Sequence, residues 1–302
     1  MLKSKSTKKV TKFAPYNVVV VKKEKKKNCF NTFFLLNILF KYLPFESQIS
    51  ITSINKDSYR YRKNIRKIPS NLTPRLTDDI LKLFPNLKYL DVRNNPSITD
   101  KGIKHMQQLH TLNANSNAKI TDEGIRHMQL HTLHASLNPS ITDEGIKHMK
   151  LHTLNACSNA KITDEGIKHM QLHTLNARFN PGMTDEGINH MQLHTLDASS
   201  NTKITNEGIK HMQLHTLDAS YNSSITDEGI KHMQQLHTLN ASYNTKITDE
   251  GIKHMKLHTL NANGNTKITD KGIEHMQLHT LNAVSNTKIT DEGTKNVLNM
   301  FK

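Results

Sequence analysis

From Leu87 onward the hydrophobic and polar positions repeat with a period of 21 or 22 residues, in the form L-x-x-L-x-A-x-x-N-x-x-I-T-D-E-G-I-x-H-M-x. Copies open at Leu87, Leu109, Leu130, Leu151, Leu172, Leu193, Leu214, Leu236, Leu257 and Leu278. A fixed short period is the signature of coils stacked into a solenoid. Positions 3 to 7 of each copy alternate, as a half-buried strand does. In the copy at Leu172, Thr174, Asn176 and Arg178 are expected to point out, and Leu175 and Ala177 to point in. Thr at position 13, followed by Asp and usually Glu, reads as a helix start: a hydroxyl N-cap with acids near the positive end of the helix dipole. The apolar residues at 17 and 20, such as Ile146 and Met149, lie three apart on one helical face. Each coil is thus predicted to hold a short strand and a helix of about two turns.

Two further columns of this pattern, beside the Thr at 13, have no apolar side chain and still do not vary. Position 9 is Asn in every copy, from Asn95 to Asn286. A buried amide donates and accepts at once, so a stack of them can satisfy turn backbone groups between coils. Position 16 is Gly from Gly102 to Gly293. Glycine inside a helix costs about 1 kcal/mol against alanine. Its recurrence predicts that a side chain there would collide with the neighbouring coil.

The 19 histidines invite a metal reading, but their placement argues against one. They fall in two columns, position 2 (His110 to His279) and position 19 (His105 to His275), with His134 alone at position 5. A ladder of one residue per coil does not converge on a point, as zinc ligands must. Stacked imidazoles should also resist charging together, because like charges repel. The acids at 14 and 15 read as dipole-complementing ladders. No nucleophile–base set, phosphate-binding glycine loop or paired buried carboxylate stands out. The chain therefore reads as a non-enzyme with no catalytic residue, metal or cofactor.

Charge divides the chain. The net charge is +15, yet residues 1–86 carry 19 basic and 5 acidic residues while residues 87–302 carry 22 and 21. Residues 1–27, with ten lysines, read as a disordered tail, since a charged run with few apolar residues cannot bury itself. Lys22, Lys23, Lys25, Lys26 and Lys27 could touch nucleic acid only weakly, with no arginine or aromatic interleaved for base stacking. The two cysteines, Cys29 and Cys157, define no disulfide framework, so a reducing intracellular compartment, cytoplasm or nucleus, is expected. Residues 33–43 are apolar but too short to span a bilayer, and read as a core helix.

The repeat resembles the leucine-rich-repeat family, whose general form is L-x-x-L-x-L-x-x-N/C-x-L. The I-T-D-E-G-I segment is most similar to the cysteine-containing subtype, with Asn in place of Cys and shorter copies. A half-copy precedes Leu87 over residues 71–86, where Leu76-Thr77-Asp78 stands for I-T-D, with Leu81 and Phe84 at the helical apolar positions. The resemblance implies an α/β solenoid: ten short parallel strands lining a concave face and ten short helices outside.

Residues 28–70 resemble an F-box. An apolar helix ends at Tyr42-Leu43-Pro44, a second segment carries Ile49, Ile51 and Ile54, and Ile54-Asn55-Lys56 matches the family's closing pattern. The typical opening Leu-Pro is absent, and Cys29-Phe30-Asn31 stands near its place. This resemblance implies that residues 30–67 bind a Skp-type linker subunit, through Leu39, Tyr42, Leu43, Pro44 and Ile54. The chain would then be the substrate-recognition adaptor of a cullin–RING ubiquitin ligase. The competing reading is a helical cap on a stand-alone protein-binding solenoid.

Specificity must sit where the copies differ. Positions 7 and 8 on the strand side vary, and they include Arg178, Phe179, Tyr221 and Tyr243. Aromatic residues and arginine are the usual anchors of protein interfaces. These four are the expected partner contacts.

Overall fold

The structure, a computed structural model, describes residues 65–68, 70–295 and 297–301. The lysine tail, the apolar run at 33–43 and the F-box-like residues Leu39, Tyr42, Leu43, Pro44 and Ile54 lie outside the described residues. All described residues fall in the unit Tyr59–Lys302.

Each coil runs strand, turn, one-turn helix, return. In order they are a 3-10 turn (Ser70–Arg75), α1 (Asp78–Leu81), β1 (Tyr89–Asp91), α2 (Asp100–Ile103), β2 (Thr111–Asn113), α3 (Asp122–Ile125), β3 (Thr132–His134), α4 (Asp143–Ile146), β4 (Thr153–Asn155) and α5 (Asp164–Ile167). There follow β5 (Thr174–Asn176), α6 (Asp185–Ile188), β6 (Thr195–Asp197), α7 (Asn206–Ile209), β7 (Thr216–Asp218), α8 (Asp227–Ile230), β8 (Thr238–Asn240), α9 (Asp249–Ile252), β9 (Thr259–Asn261), α10 (Asp270–Ile273), β10 (Thr280–Asn282) and β11 (Asn299–Phe301). The eleven strands form one parallel sheet in sequence order. Equivalent positions pair, so Thr153 faces Thr174 and Leu154 faces Leu175. The fold is a repeat solenoid of the leucine-rich-repeat kind.

Three features differ from the sequence expectation. Each helix has four residues, about one turn rather than two. The chain leaves the helix at once, as Met149 N–H bonds Ile146 O at 2.8 Å, and Met149 still packs inward from the following turn. The tenth copy forms no helix: Thr294 replaces the apolar residue at position 17, and only turns remain there. The solenoid also begins earlier than the half-copy at Leu76. Lys67 bridges Tyr89 in parallel, and Lys88 N–H and Tyr89 N–H both bond Arg66 O at 2.8 and 3.1 Å. Ile68 is buried, as a position-4 residue should be. Residues 65–68 are thus the strand side of a degenerate first coil, within the last part of the F-box-like stretch.

The core is built coil by coil. Leu at 1 and 4, Ala at 6, Ile at 12 and 17 and Met at 20 are almost wholly buried throughout, as at Leu172, Leu175, Ala177, Met183, Ile188 and Met191 in one coil. Three ladders join one coil to the next, two by hydrogen bonds and one by leaving room for them. In the first, Asn180 Nδ2 donates to Ala156 O (3.1 Å), Asn159 O (2.9 Å) and Ile162 O (3.1 Å) of the preceding coil, while its Oδ1 accepts from Gly182 N–H (3.0 Å). The ladder extends from Asn95 to Asn286.

The second ladder joins Asp at 14 to Thr at 13 of the next coil. Asp143 accepts from Thr163 N–H through Oδ1 and from Thr163 Oγ1 through Oδ2, each at 2.7 Å. Thr163 Oγ1 in turn caps α5 by accepting from Glu165 N–H. Asn206 replaces the acid in one coil and keeps the clamp by reversing one bond: its Oδ1 accepts from Thr226 N–H and its Nδ2 donates to Thr226 Oγ1, both at 2.9 Å. The position-14 acids are therefore coil-to-coil fasteners as well as dipole partners. The Glu at 15 stay on the surface in i,i+3 ion pairs such as Glu144–Lys147 at 2.6 Å, which stabilise little.

The third ladder is glycine. A Cβ on Gly166 would run into Asp143 Oδ1 and stand 3.0 Å from its Cγ and 3.2 Å from its Cα. Position 16 stays empty because the clamp carboxylate of the previous coil fills it.

Candidate protein-binding face

Position 5 sits on the outward face of the sheet and holds each strand's exit turn. Its side-chain oxygen accepts from the N–H two residues on, as Asn176 does from Arg178 (3.0 Å) and Asp218 from Ser220 (2.9 Å). At His134 no such oxygen exists. There Ser136 N–H turns to Asn115 Oδ1 of the preceding coil at 2.8 Å.

Position 8 follows, and every coil bends there through a left-handed backbone. Asn94, Ser116, Leu137, Ser158, Phe179, Ser200, Tyr221, Tyr243, Gly264 and Ser285 all have φ between 50° and 63°. Only glycine takes this conformation without penalty; other residues lose about 1–2 kcal/mol. At Gly264 a Cβ would also meet the Tyr243 ring, 2.9 Å from its Cζ. The turn requires the backbone shape: asparagine and glycine suit it in two coils, and small serines fill it in four. Leucine, phenylalanine and tyrosine in the other four make it harder.

Those bulky residues are also exposed: Phe179 is 49% accessible, Tyr221 56% and Tyr243 45%. The Tyr221 and Tyr243 rings stack across neighbouring coils with centroids 4.7 Å apart and planes 18° from parallel. The Arg178 guanidinium lies over the Phe179 ring at 4.8 Å. The four expected contact residues thus fall into two clusters along one column, Arg178 with Phe179 and, two coils on, Tyr221 with Tyr243. Leu137, 59% exposed, extends the same column.

The histidines form the two predicted columns. At position 2 the rings of His131, His152, His173, His194 and His215 stack in sequence, 3.9–4.7 Å between centroids. At position 19 the Nε2 of His148, His169, His190 and His275 lies 3.1–3.3 Å from a Met carbonyl of the preceding coil, so that nitrogen carries the proton and donates. Among the described residues no group of three or more His, Cys, Asp or Glu is placed to hold a metal ion. Among them, too, no helix is long and apolar enough to cross a membrane.

Burial pushes the imidazoles of His105, His131, His134 and His194 down, and neighbouring histidines of the stack add to this at His131 and His194. The unfolded chain therefore binds these protons more readily than the folded one. Stability is complete above the ordinary histidine range and falls as pH drops through about 6.5. Urea unfolding at pH 7.5 and pH 5.5 should show the lower midpoint at pH 5.5. An unchanged or higher midpoint there would exclude this linkage.

A family profile described as Leucine Rich repeat matches residues 85–106. No curated protein matches the chain. Among solved structures, the chain is similar to one in the crystal structure of the Rad7 and Elc1 complex in yeast, at TM-score 0.50 and 15% identity over 91% of this chain and 98% of that one. An internalin (inlF) from Listeria monocytogenes aligns at TM-score 0.49 and 18% identity over 83% of this chain and 85% of that one. At 15% identity the likeness to the yeast structure concerns the fold alone.

Proposed function

We propose that this chain is a non-enzymatic interaction scaffold acting as the substrate-recognition adaptor of a cullin–RING ubiquitin ligase, in the cytoplasm or nucleus. One observation carries the recognition half. Phe179, Tyr221 and Tyr243 stand at left-handed positions where serine suffices in other coils, and they expose large rings to solvent. Fold stability favours neither choice, whereas a protein interface uses both rigid aromatics and arginine as anchors. The adaptor half rests on the F-box-like stretch, with Leu39, Tyr42, Leu43, Pro44 and Ile54 as the linker contacts. The yeast structure of similar span, solved as a complex of Rad7 with Elc1, supports a chain of this build working with a second protein.

The test is direct binding of the full chain to a purified Skp-type linker subunit. The wild type is expected to bind, and Leu43→Asp to lose binding at least tenfold while its solenoid unfolds at an unchanged urea midpoint. A folded wild-type chain that fails to bind would leave a stand-alone leucine-rich-repeat binding protein with a helical cap.

A further inference from the structure

The recognition edge carries charge as well as aromatic surface. Position 5 is Asn in six coils, and its task of accepting from the N–H two residues on is met there by an amide, as at Asn155 (3.0 Å) and Asn261 (3.1 Å). Asp197 and Asp218 stand in place of that amide on β6 and β7, directly opposite each other in register. Both are half-buried. Asn176 Nδ2 donates to Asp197 Oδ2 and Asn240 Nδ2 to Asp218 Oδ2, each at 2.8 Å, and Ser199 and Ser220 hydroxyls donate to the two Oδ1 atoms at 2.6 Å.

Every donor in this set is neutral. Among the described residues no lysine or arginine forms an ion pair with either carboxylate. Asp91 makes the contrast, since Arg93 pairs with it at 2.6 Å. Arg178, the nearby cation, lies over the Phe179 ring. Burial pushes the Asp197 carboxyl up; hydrogen bonds from Ser199 offset part of this, Asp218 beside it adds to the rise, and the charge of Arg178 draws it back without forming an ion pair. Two like charges side by side are unfavourable for the fold alone.

The acids lie within the recognition edge. Tyr221 is three residues beyond Asp218 in the same coil, and its ring stacks on Tyr243 of the next. Aromatic faces attract cations, and more strongly when water is excluded. We propose that this edge docks a basic segment of the partner protein, a lysine or arginine lying against the Tyr221–Tyr243 stack with its charge reaching the Asp197–Asp218 pair. The proposal rests on the recognition reading above and narrows it to a cationic partner. Charge complementarity selects this occupant over a purely apolar one.

The experiment is selection of a randomised peptide-display library on the full chain, in parallel with Asp197→Asn/Asp218→Asn and Phe179→Ser/Tyr221→Ser/Tyr243→Ser. Both variants install residues that other coils already use at these positions, so both should fold. Wild-type binders are expected to be enriched in lysine and arginine and to weaken at least tenfold between 50 and 500 mM salt. Binding should also fall at least tenfold on each variant. Binders that need the three aromatics but are neutral or acidic, and bind the Asn variant equally, would overturn the cationic partner and leave the recognition edge standing. Binders indifferent to the aromatic variant would overturn both. Self-association of the chain that the Asn variant abolishes would place a second copy on the edge and also overturn the proposal.

Discussion

Asn180→Ala is expected to destabilise the solenoid by about 3–5 kcal/mol, although it removes only one small side chain. Asn180 is wholly buried and serves four backbone groups: three carbonyls of the preceding coil and Gly182 N–H. Its loss strands those groups where water cannot reach them, and each buried unsatisfied group costs about 1–3 kcal/mol. Some carbonyls keep a partner through adjacent turns, as Asn159 O does from Ile162 N–H, so the total stays below the full sum. A leucine-rich core cannot compensate, because the gap is polar. Urea unfolding of the full chain followed by circular dichroism would show the loss, and an unfolding free energy within about 0.5 kcal/mol of wild type would remove the ladder from the list of determinants.

Gly166→Ala should destabilise by about 2–4 kcal/mol, opposite in sign to what helix propensity predicts. On an isolated helix the exchange gains about 1 kcal/mol. Here the new methyl would displace the Asp143 carboxylate, which clamps Thr163 through two bonds at 2.7 Å. Hydrogen bonds to a charged group contribute about 1.5–3 kcal/mol each, so losing them outweighs the propensity gain. The Asp143 Cα behind the carboxylate limits any retreat. Combining the exchange with Asp143→Gly should relieve the collision without restoring the clamp. Thermal unfolding of both variants would check this, and a stabilised Gly166→Ala would contradict it.

The sequence made some of this architecture legible because its cause is periodic. The strand alternation, the buried Asn at 9, the collision at 16 and the exposure of Phe179, Tyr221 and Tyr243 all follow from which positions repeat and which vary. Other features hid for physical reasons. The Asp at 14 already had a local explanation at a helix start, and its actual partner lies 20 or 21 residues away on the next coil. The left-handed turn at 8 was masked by serines, with only Asn94 and Gly264 belonging to residue types that favour it. The pairing of Asp197 with Asp218 emerges only once β6 and β7 lie in register. The first coil at Ile65 was obscured because Thr73 occupies the place that Asn holds in every later coil. Helix length was overestimated because the 17–20 spacing is shared by a helix and by a tight turn that follows one.

A linker-binding stretch and a recognition edge are proposed as two separable surfaces of the chain. Affinity capture from a eukaryotic lysate by the wild type, Leu43→Asp and Phe179→Ser/Tyr221→Ser/Tyr243→Ser tests both together, with quantitative mass spectrometry as the readout. Leu43→Asp is expected to lose the Skp-type linker and keep the remaining partners, while the triple variant keeps the linker and loses those partners. Identical captured sets for all three proteins would contradict this expectation.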